Sequence, residues 1–487
     1  MPGAMLKKLA KRAAWVIGAG ALTLLAVRVF DSQRGPTLEP WHTVVPKELT
    51  AEEIADIDWQ RYLEAEDAAL EEVRARVTRR LDTKDRVPAN RYFEDSPVYP
   101  GRFAKDWNRS FVLEPEGPPQ GAVVLLHGLT DSPYSMRQVA RRYRDRGFVA
   151  IVPRLPGHGT VPAGLSKVHW EDWAAATRLA VREAMRRAGA GRPLHVVGYS
   201  NGGALAVKYA LDAIEDPGLP RPVRVVLISP MIGITEMARF AGFAGLPAIF
   251  PPFAKAAWLG IVPEFNPFKY NSFPVNGARQ SSLLTRALQP RVARLAREGR
   301  LADLPPILTF QSATDFTVST SAIVTALYAH LPANGSELVL YDLNRHTKFG
   351  PLLRPGKETL VERLLPDAPR HYRTTVVSNA GTGSYDVTER IIEAGATAEI
   401  VRPLGLRYPN DVFSLSHVAL PFPEDDPVYG AAPDPAEDFG VQLGAMALRG
   451  ERGTLVVSLD ALGRTSWNPF FPYQLRRIEE GIGSGLR

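Results

Sequence analysis

A chain of 487 residues is long enough for one large catalytic domain with insertions or for two ordinary domains, and 45% apolar with 23% charged residues is a globular balance. The net charge of +6 is spread along the chain and mixed with acids, which argues against nucleic acid as a partner. Cysteine is absent, which excludes disulfides, thiolate metal sites, a cysteine nucleophile and a lipidated cysteine anchor.

The first thirty residues read as a membrane segment. Lys7, Lys8, Lys11 and Arg12 precede the apolar run Ala13–Val27, which Val29 and Phe30 continue after Arg28. A cleaved signal peptide is the rival, but Arg28 stands where a small-residue cleavage site would be expected. The expectation is therefore an uncleaved anchor at 1–30 in the cell membrane, spanning once, with the catalytic part on the extracytoplasmic (periplasmic) side. Residues 31–48 read as a linker. Thr50 and Glu53 then form a capping box, with Leu49 and Ile54 as its hydrophobic staple. Leu63, Leu70 and Val77 recur every seven residues with Val73 and Leu81 beside them, predicting one helix to about Leu81. Residues 31–105 are thus a linker and an N-terminal helix.

From about residue 106 short apolar runs alternate with helical stretches. Ala122–Leu126, Val149–Val152, Leu194–Val197, Val223–Ile228 and Ile307–Phe310 read as buried strands. Ser135–Arg146, His169–Arg187 and Asn201–Ile214 read as the helices between them. The alternation implies an α/β fold with a mostly parallel sheet flanked by helices. Residues 230–305 break the rhythm with a long stretch rich in aromatic residues and proline. Its position on the C-terminal side of the sheet suits a lid over a ligand crevice, and its rings suit core packing too.

The chemistry centres on Gly198-Tyr199-Ser200-Asn201-Gly202, which follows an apolar strand and precedes a helix. Glycines at that spacing let the chain turn sharply enough to lift the serine oxygen above a sheet. A second motif, His127-Gly128-Leu129-Thr130-Asp131-Ser132-Pro133, ends an earlier strand, and Arg154-Leu155-Pro156-Gly157-His158-Gly159 ends another. With these motifs the chain resembles the α/β-hydrolase superfamily, in particular its bacterial carboxylesterase, monoglyceride-lipase and lysophospholipase-like branch of serine hydrolases. The resemblance implies Ser200 as nucleophile and the Leu129 and Asn201 backbone amides as an oxyanion hole. It makes His127 and His158 loop residues rather than bases.

Asp315 follows the strand Ile307–Phe310 in a D-x-x-V loop like the one that carries the acid in that family. Chain order puts the base later still, where His346, His371 and His417 stand. His417, in Ser414-Leu415-Ser416-His417-Val418, is favoured over His346, whose neighbours Arg345 and Lys348 disfavour an imidazolium. His371 ranks third. Choosing His417 requires the stretch 344–410, with the strand-like Thr374–Ser378, to be accommodated before the base returns. Residues 433–487 read as packing. The chemistry implied needs no metal or organic cofactor. Its substrate is a small carboxylic ester with a hydrophobic part, lipid-like if near a membrane. A serine aminopeptidase-like activity and a non-catalytic envelope scaffold are the alternatives.

Overall fold

A computed structural model describes residues 35–233, 251–357, 359–446 and 463–484, with scattered positions of 11–30. Ten strands form one sheet among these residues, in the order β1-β3-β2-β4-β5-β8-β9-β10-β11-β12. They are β1 (Phe111–Leu113), β2 (Gly121–Leu126), β3 (Phe148–Val152), β4 (Leu194–Tyr199) and β5 (Arg224–Ile228). A small separate pair, β6 (Trp258–Gly260) and β7 (Phe273–Pro274), lies in the insertion. The main sheet continues with β8 (Ile307–Ser312), β9 (Glu337–Tyr341), β10 (Arg373–Asn379), β11 (Asp386–Ile392) and β12 (Glu399–Arg407).

Strands β2 to β5 and β8 to β10 are parallel to their neighbours, while β1, β11 and β12 pair antiparallel. Why the central strands are continuous apolar runs follows from their two covered faces. Ala122, Val124 and Leu126 point into one core layer beneath the helices Trp170–Ala188 and Asn201–Glu215. Val123 and Leu125 point into the opposite layer, beneath Arg137–Asp145 and Phe471–Ser484. The C-terminal helix is thus packing, as its sequence suggests, while Thr454–Leu459, also expected to be packing, lies outside the described residues.

Two expectations from the N-terminal part are corrected. The capping box at Thr50 and Glu53 forms, but its helix ends at Ala55. Asp58 then accepts the Arg61 amide and starts a second helix, Trp59–Arg76, followed by the turn Thr78–Arg80. The seven-residue repeat survives because the break falls before Leu63. Residues 35–48 are not a free tether: Trp41 and His42 are buried, and Trp41 stacks on Tyr92.

The membrane placement is also corrected. Among the described residues no helix is long and apolar enough to cross a membrane. That finding overturns the expected single-pass location in the cell membrane and the membrane as a partner. The apolar run before Arg28 is shorter than the ~20 residues a spanning helix needs. Most of 1–34 lies outside the described residues.

Candidate active site

The turn after β4 positions the first group. Ser200 has φ 53° and ψ −115°, a left-handed backbone that costs a non-glycine residue roughly 1–3 kcal/mol. The flanking structure holds it there: the Ser200 amide donates to Ile228 at 3.0 Å, and its carbonyl accepts from Met231 at 2.9 Å. A Cβ on Gly202 would run into the Leu126 carbonyl, and one on Gly198 into the Gly202 carbonyl. This close approach of β2, β4 and the helix is the physical demand behind the two glycines.

Asp315 sits in the loop after β8, its side chain fully buried. One carboxylate oxygen accepts from the Thr317 and Val318 amides at 2.8 and 3.0 Å. The other accepts from Gln311 Nε2 at 3.2 Å and faces His417 Nδ1 at 2.8 Å. Burial pushes this carboxyl upward, but the His417 ring and the two amides outweigh it and hold the group below the ordinary carboxylate range. The far side of the imidazole completes the line, with His417 Nε2 2.9 Å from Ser200 Oγ. His417 opens a single 3₁₀ turn and is 4% exposed. Its loop is tied to the acid's strand by Ser312 Oγ, which donates to the Leu415 carbonyl at 2.8 Å.

The structure therefore brings Ser200, Asp315 and His417 together and leaves His346 elsewhere. His346 caps the turn Thr347–Leu352, its Nδ1 accepting from the Lys348 amide at 3.2 Å. Its ring stacks on Tyr385 at 4.0 Å. His371 is exposed just before β10.

The reason is the path of 344–410, which adds β10, β11 and β12 to the sheet edge and then returns. Asn344 donates from its amide to Phe413 at 2.8 Å and from Nδ2 to Val412 at 2.9 Å. Tyr408 Oη donates to the Asp342 carbonyl at 2.6 Å. The chain thus comes back beside its point of departure, and His417 occupies the loop after β9 in space although not in sequence.

Asn201 follows the serine in the chain, and Gly128, which precedes Leu129, lies against it, since a Cβ there would stand 3.2 Å from Ser200 Cβ. Asn201 is the first residue of its helix, where amides lack intrahelical acceptors. Among the described residues no acceptor takes the Leu129 or Asn201 amide. Asn201 Oδ1 is held by Ser281 Oγ at 3.1 Å, from the long helix Val275–Arg297. Sequence reasoning gave no warning of Ser281, Asn344 or Tyr408, because each acts across a long separation, nor of Gln311, which is only four residues from Asp315 but belongs to no motif.

His127 and His158 lie in loops beside this centre. His127 is fully buried, with Nδ1 3.0 Å from the Gly128 carbonyl and Nε2 accepting from the Leu155 amide at 3.1 Å. Burial pulls it down to about 4, so it is neutral at pH 7. His158 faces the Leu155 and Pro156 carbonyls and is pushed well below its ordinary value by burial. Asp131, behind the Leu129 turn, is pushed up to about 6 by burial against the pull of Lys269. Among the described residues no cluster of His, Asp and Glu could hold a metal ion.

A family model described as the alpha/beta hydrolase family matches residues 123–381, more than half of the chain. The chain is 35% identical over 88 residues to a thermostable monoacylglycerol lipase of Bacillus sp. (strain H-257), covering 18% of this chain and 34% of that protein. It is 35% identical over 161 residues to the magnesium-chelatase 30 kDa subunit of Rhodobacter capsulatus, covering 31% and 45%. The chain therefore spans less than half the length of either relative. Among solved structures, a metagenome-derived lipolytic enzyme is 24% identical with a TM-score of 0.38, covering 49% of this chain and 88% of that one.

Proposed function

The chain belongs to the alpha/beta hydrolase family, and on that premise we propose that it hydrolyses carboxylic esters with a hydrophobic acyl or alkyl part through an acyl-enzyme on Ser200. The observation that carries this reading is the continuous line Asp315–His417–Ser200, with contacts of 2.8 and 2.9 Å. His417 takes the serine proton as Oγ attacks the carbonyl and later returns it to the leaving alcohol. Asp315 keeps Nδ1 protonated, which leaves Nε2 free to act as base. The Leu129 and Asn201 amides receive the developing oxyanion, an interaction worth roughly 3–4 kcal/mol per donor in the transition state. Water then attacks the acyl-enzyme, with His417 again as base.

The similarity to a monoacylglycerol lipase supports an ester as substrate. We assign 106–487 to the hydrolase unit, with the insertion of about 230–305 as its lid. Gly277 of the long helix faces Leu129, and Ser281 holds Asn201, so this insertion abuts both oxyanion residues. Phe268 and Trp258 are core rings, while Phe240, Phe243 and Phe250 lie outside the described residues. One relative is named as a magnesium-chelatase subunit and not as an esterase, so a role other than ester hydrolysis is the second reading.

Fluorophosphonate labelling and p-nitrophenyl ester turnover of the wild type and Ser200→Ala decide between them. Labelling and turnover lost together in Ser200→Ala support the ester hydrolase. An unlabelled, inactive wild type supports the second reading. Faster turnover of aminoacyl amides than of esters would move the assignment to a serine aminopeptidase.

A further inference from the structure

Leu129 offers its amide to the proposed oxyanion, and the peptide plane that carries this N–H also carries the Gly128 carbonyl. In a trans peptide the two point in opposite directions, so whatever grips the carbonyl aims the amide. His127 Nδ1 grips it at 3.0 Å, closer than the Asp131 amide, which donates to the same oxygen at 3.3 Å. The ring can donate there only if Nε2 is the acceptor, and Nε2 does accept, from the Leu155 amide at 3.1 Å.

The next peptide plane outward is held in the same way. The Leu155 amide shares its plane with the Arg154 carbonyl, which accepts from Tyr62 Oη at 2.6 Å. Tyr62 is 3% exposed and belongs to the helix Trp59–Arg76, before the family-matched residues. The Arg154 amide on the other side donates to Ser110 Oγ at 2.7 Å. The Arg154 guanidinium is clamped by both oxygens of Glu48, at 2.8 and 2.9 Å, and by Glu66 at 3.2 Å. Glu66 also accepts from the Ser110 hydroxyl at 2.7 Å. Apart from the His158 carbonyl, which accepts from Arg154 Nη1 at 2.8 Å, these partners come from residues 48–110.

We infer that the N-terminal segment is a positioning element of the reaction, in which Tyr62, through the Arg154–Leu155 peptide and the His127 ring, aims the Leu129 amide at the oxyanion. The inference rests on the proposed ester hydrolysis at Ser200. It makes Tyr62 and His127 positioning residues that never touch substrate. Their loss lowers kcat and leaves KM nearly unchanged, because the ground-state ester barely uses the donor.

The test uses the full chain with p-nitrophenyl butyrate as substrate and a trifluoromethyl ketone as oxyanion-forming inhibitor. His127→Phe is expected to lower kcat roughly a hundredfold, the scale of one lost oxyanion donor. Tyr62→Phe removes one hydroxyl and is expected to lower kcat roughly tenfold, with the inhibitor weakened in proportion. The double variant is expected to be no slower than His127→Phe alone, since both substitutions act on one peptide plane. A merely structural Tyr62 would shift the melting temperature while kcat and inhibitor affinity stay unchanged, and that result overturns the inference, as does multiplication of the two losses in the double variant. Ser200→Ala is measured alongside. If it stays active, the reading of Ser200 itself falls. If it is inactive while Tyr62→Phe matches the wild type, only the positioning role falls.

Discussion

Residues 344–348 and 414–418 each present a histidine beyond the acid, and they are separated by three strands of chain. In space they begin from one knot, where Asn344 and Asp342 hold Val412, Phe413 and Tyr408. His346 leaves on the outgoing path and stacks against Tyr385, and His417 arrives on the returning path and meets Ser200. The lesson is that a loop is defined by where its ends are pinned. An insertion that returns to its origin moves the functional residue far along the sequence without moving it in the structure.

The two histidines themselves carry the largest expected effects. His417→Ala is expected to lower kcat for a p-nitrophenyl ester by about 10⁴–10⁶, whereas His346→Ala changes it less than about threefold. Steady-state turnover with fluorophosphonate labelling checks both. Abolished labelling in His346→Ala with intact labelling in His417→Ala would reverse the assignment. Asp315→Asn comes next, with kcat expected to fall by about 10³–10⁴ because the imidazole loses its fixed tautomer. Retention of more than a tenth of wild-type kcat would count against Asp315 as the orienting group.

The knot itself is tested by Asn344→Ala. The change removes the Nδ2 bonds to the Val412 and Pro409 carbonyls while the backbone bond to Phe413 stays, and it should cost roughly 1–3 kcal/mol, with kcat down several-fold and KM nearly constant. Unchanged thermal stability and kcat would mean that the return path needs no such clasp.

A last prediction concerns stability and not turnover, at His195, a buried ring on β4 beside Tyr143, which burial and then Arg224 pull down to about 3. A depressed folded-state value means that the folded protein resists the proton the unfolded chain takes up near pH 6.5. The stability present above pH 6.5 is therefore lost as the pH falls toward 3. His195→Phe lacks this loss, so its stability relative to the wild type should rise by up to about 1.4 kcal/mol per pH unit across that window. Denaturation at pH 7, 5 and 4 measures it, and a difference that stays flat with pH refutes it.

Much of this molecule is legible in its residues. The apolar runs at 122–126, 149–152, 194–197 and 307–310 are strands within a residue or two at each end, because both faces of a central parallel strand are covered and the pattern is uninterrupted. The turn at Ser200 is legible because its glycines stand in one short motif, although only Gly198 answers a steric demand within five residues and Gly202 answers one from Leu126 on the neighbouring strand. The N-terminal helix is less so: the seven-residue repeat shows which face is buried, but it does not show that Asp58 would start a new helix.

What the residues show without a fold is therefore what neighbours decide between themselves: strand periodicity, the tight turn around Ser200, the capping box at Thr50. Which histidine reaches the serine, that Tyr62 and Glu66 bear on the Arg154 loop, and that three further strands extend the sheet were decided only by tertiary structure. Each depends on contacts between groups far apart in the chain, whose pairing is set by the packing of whole elements and leaves no mark on local composition.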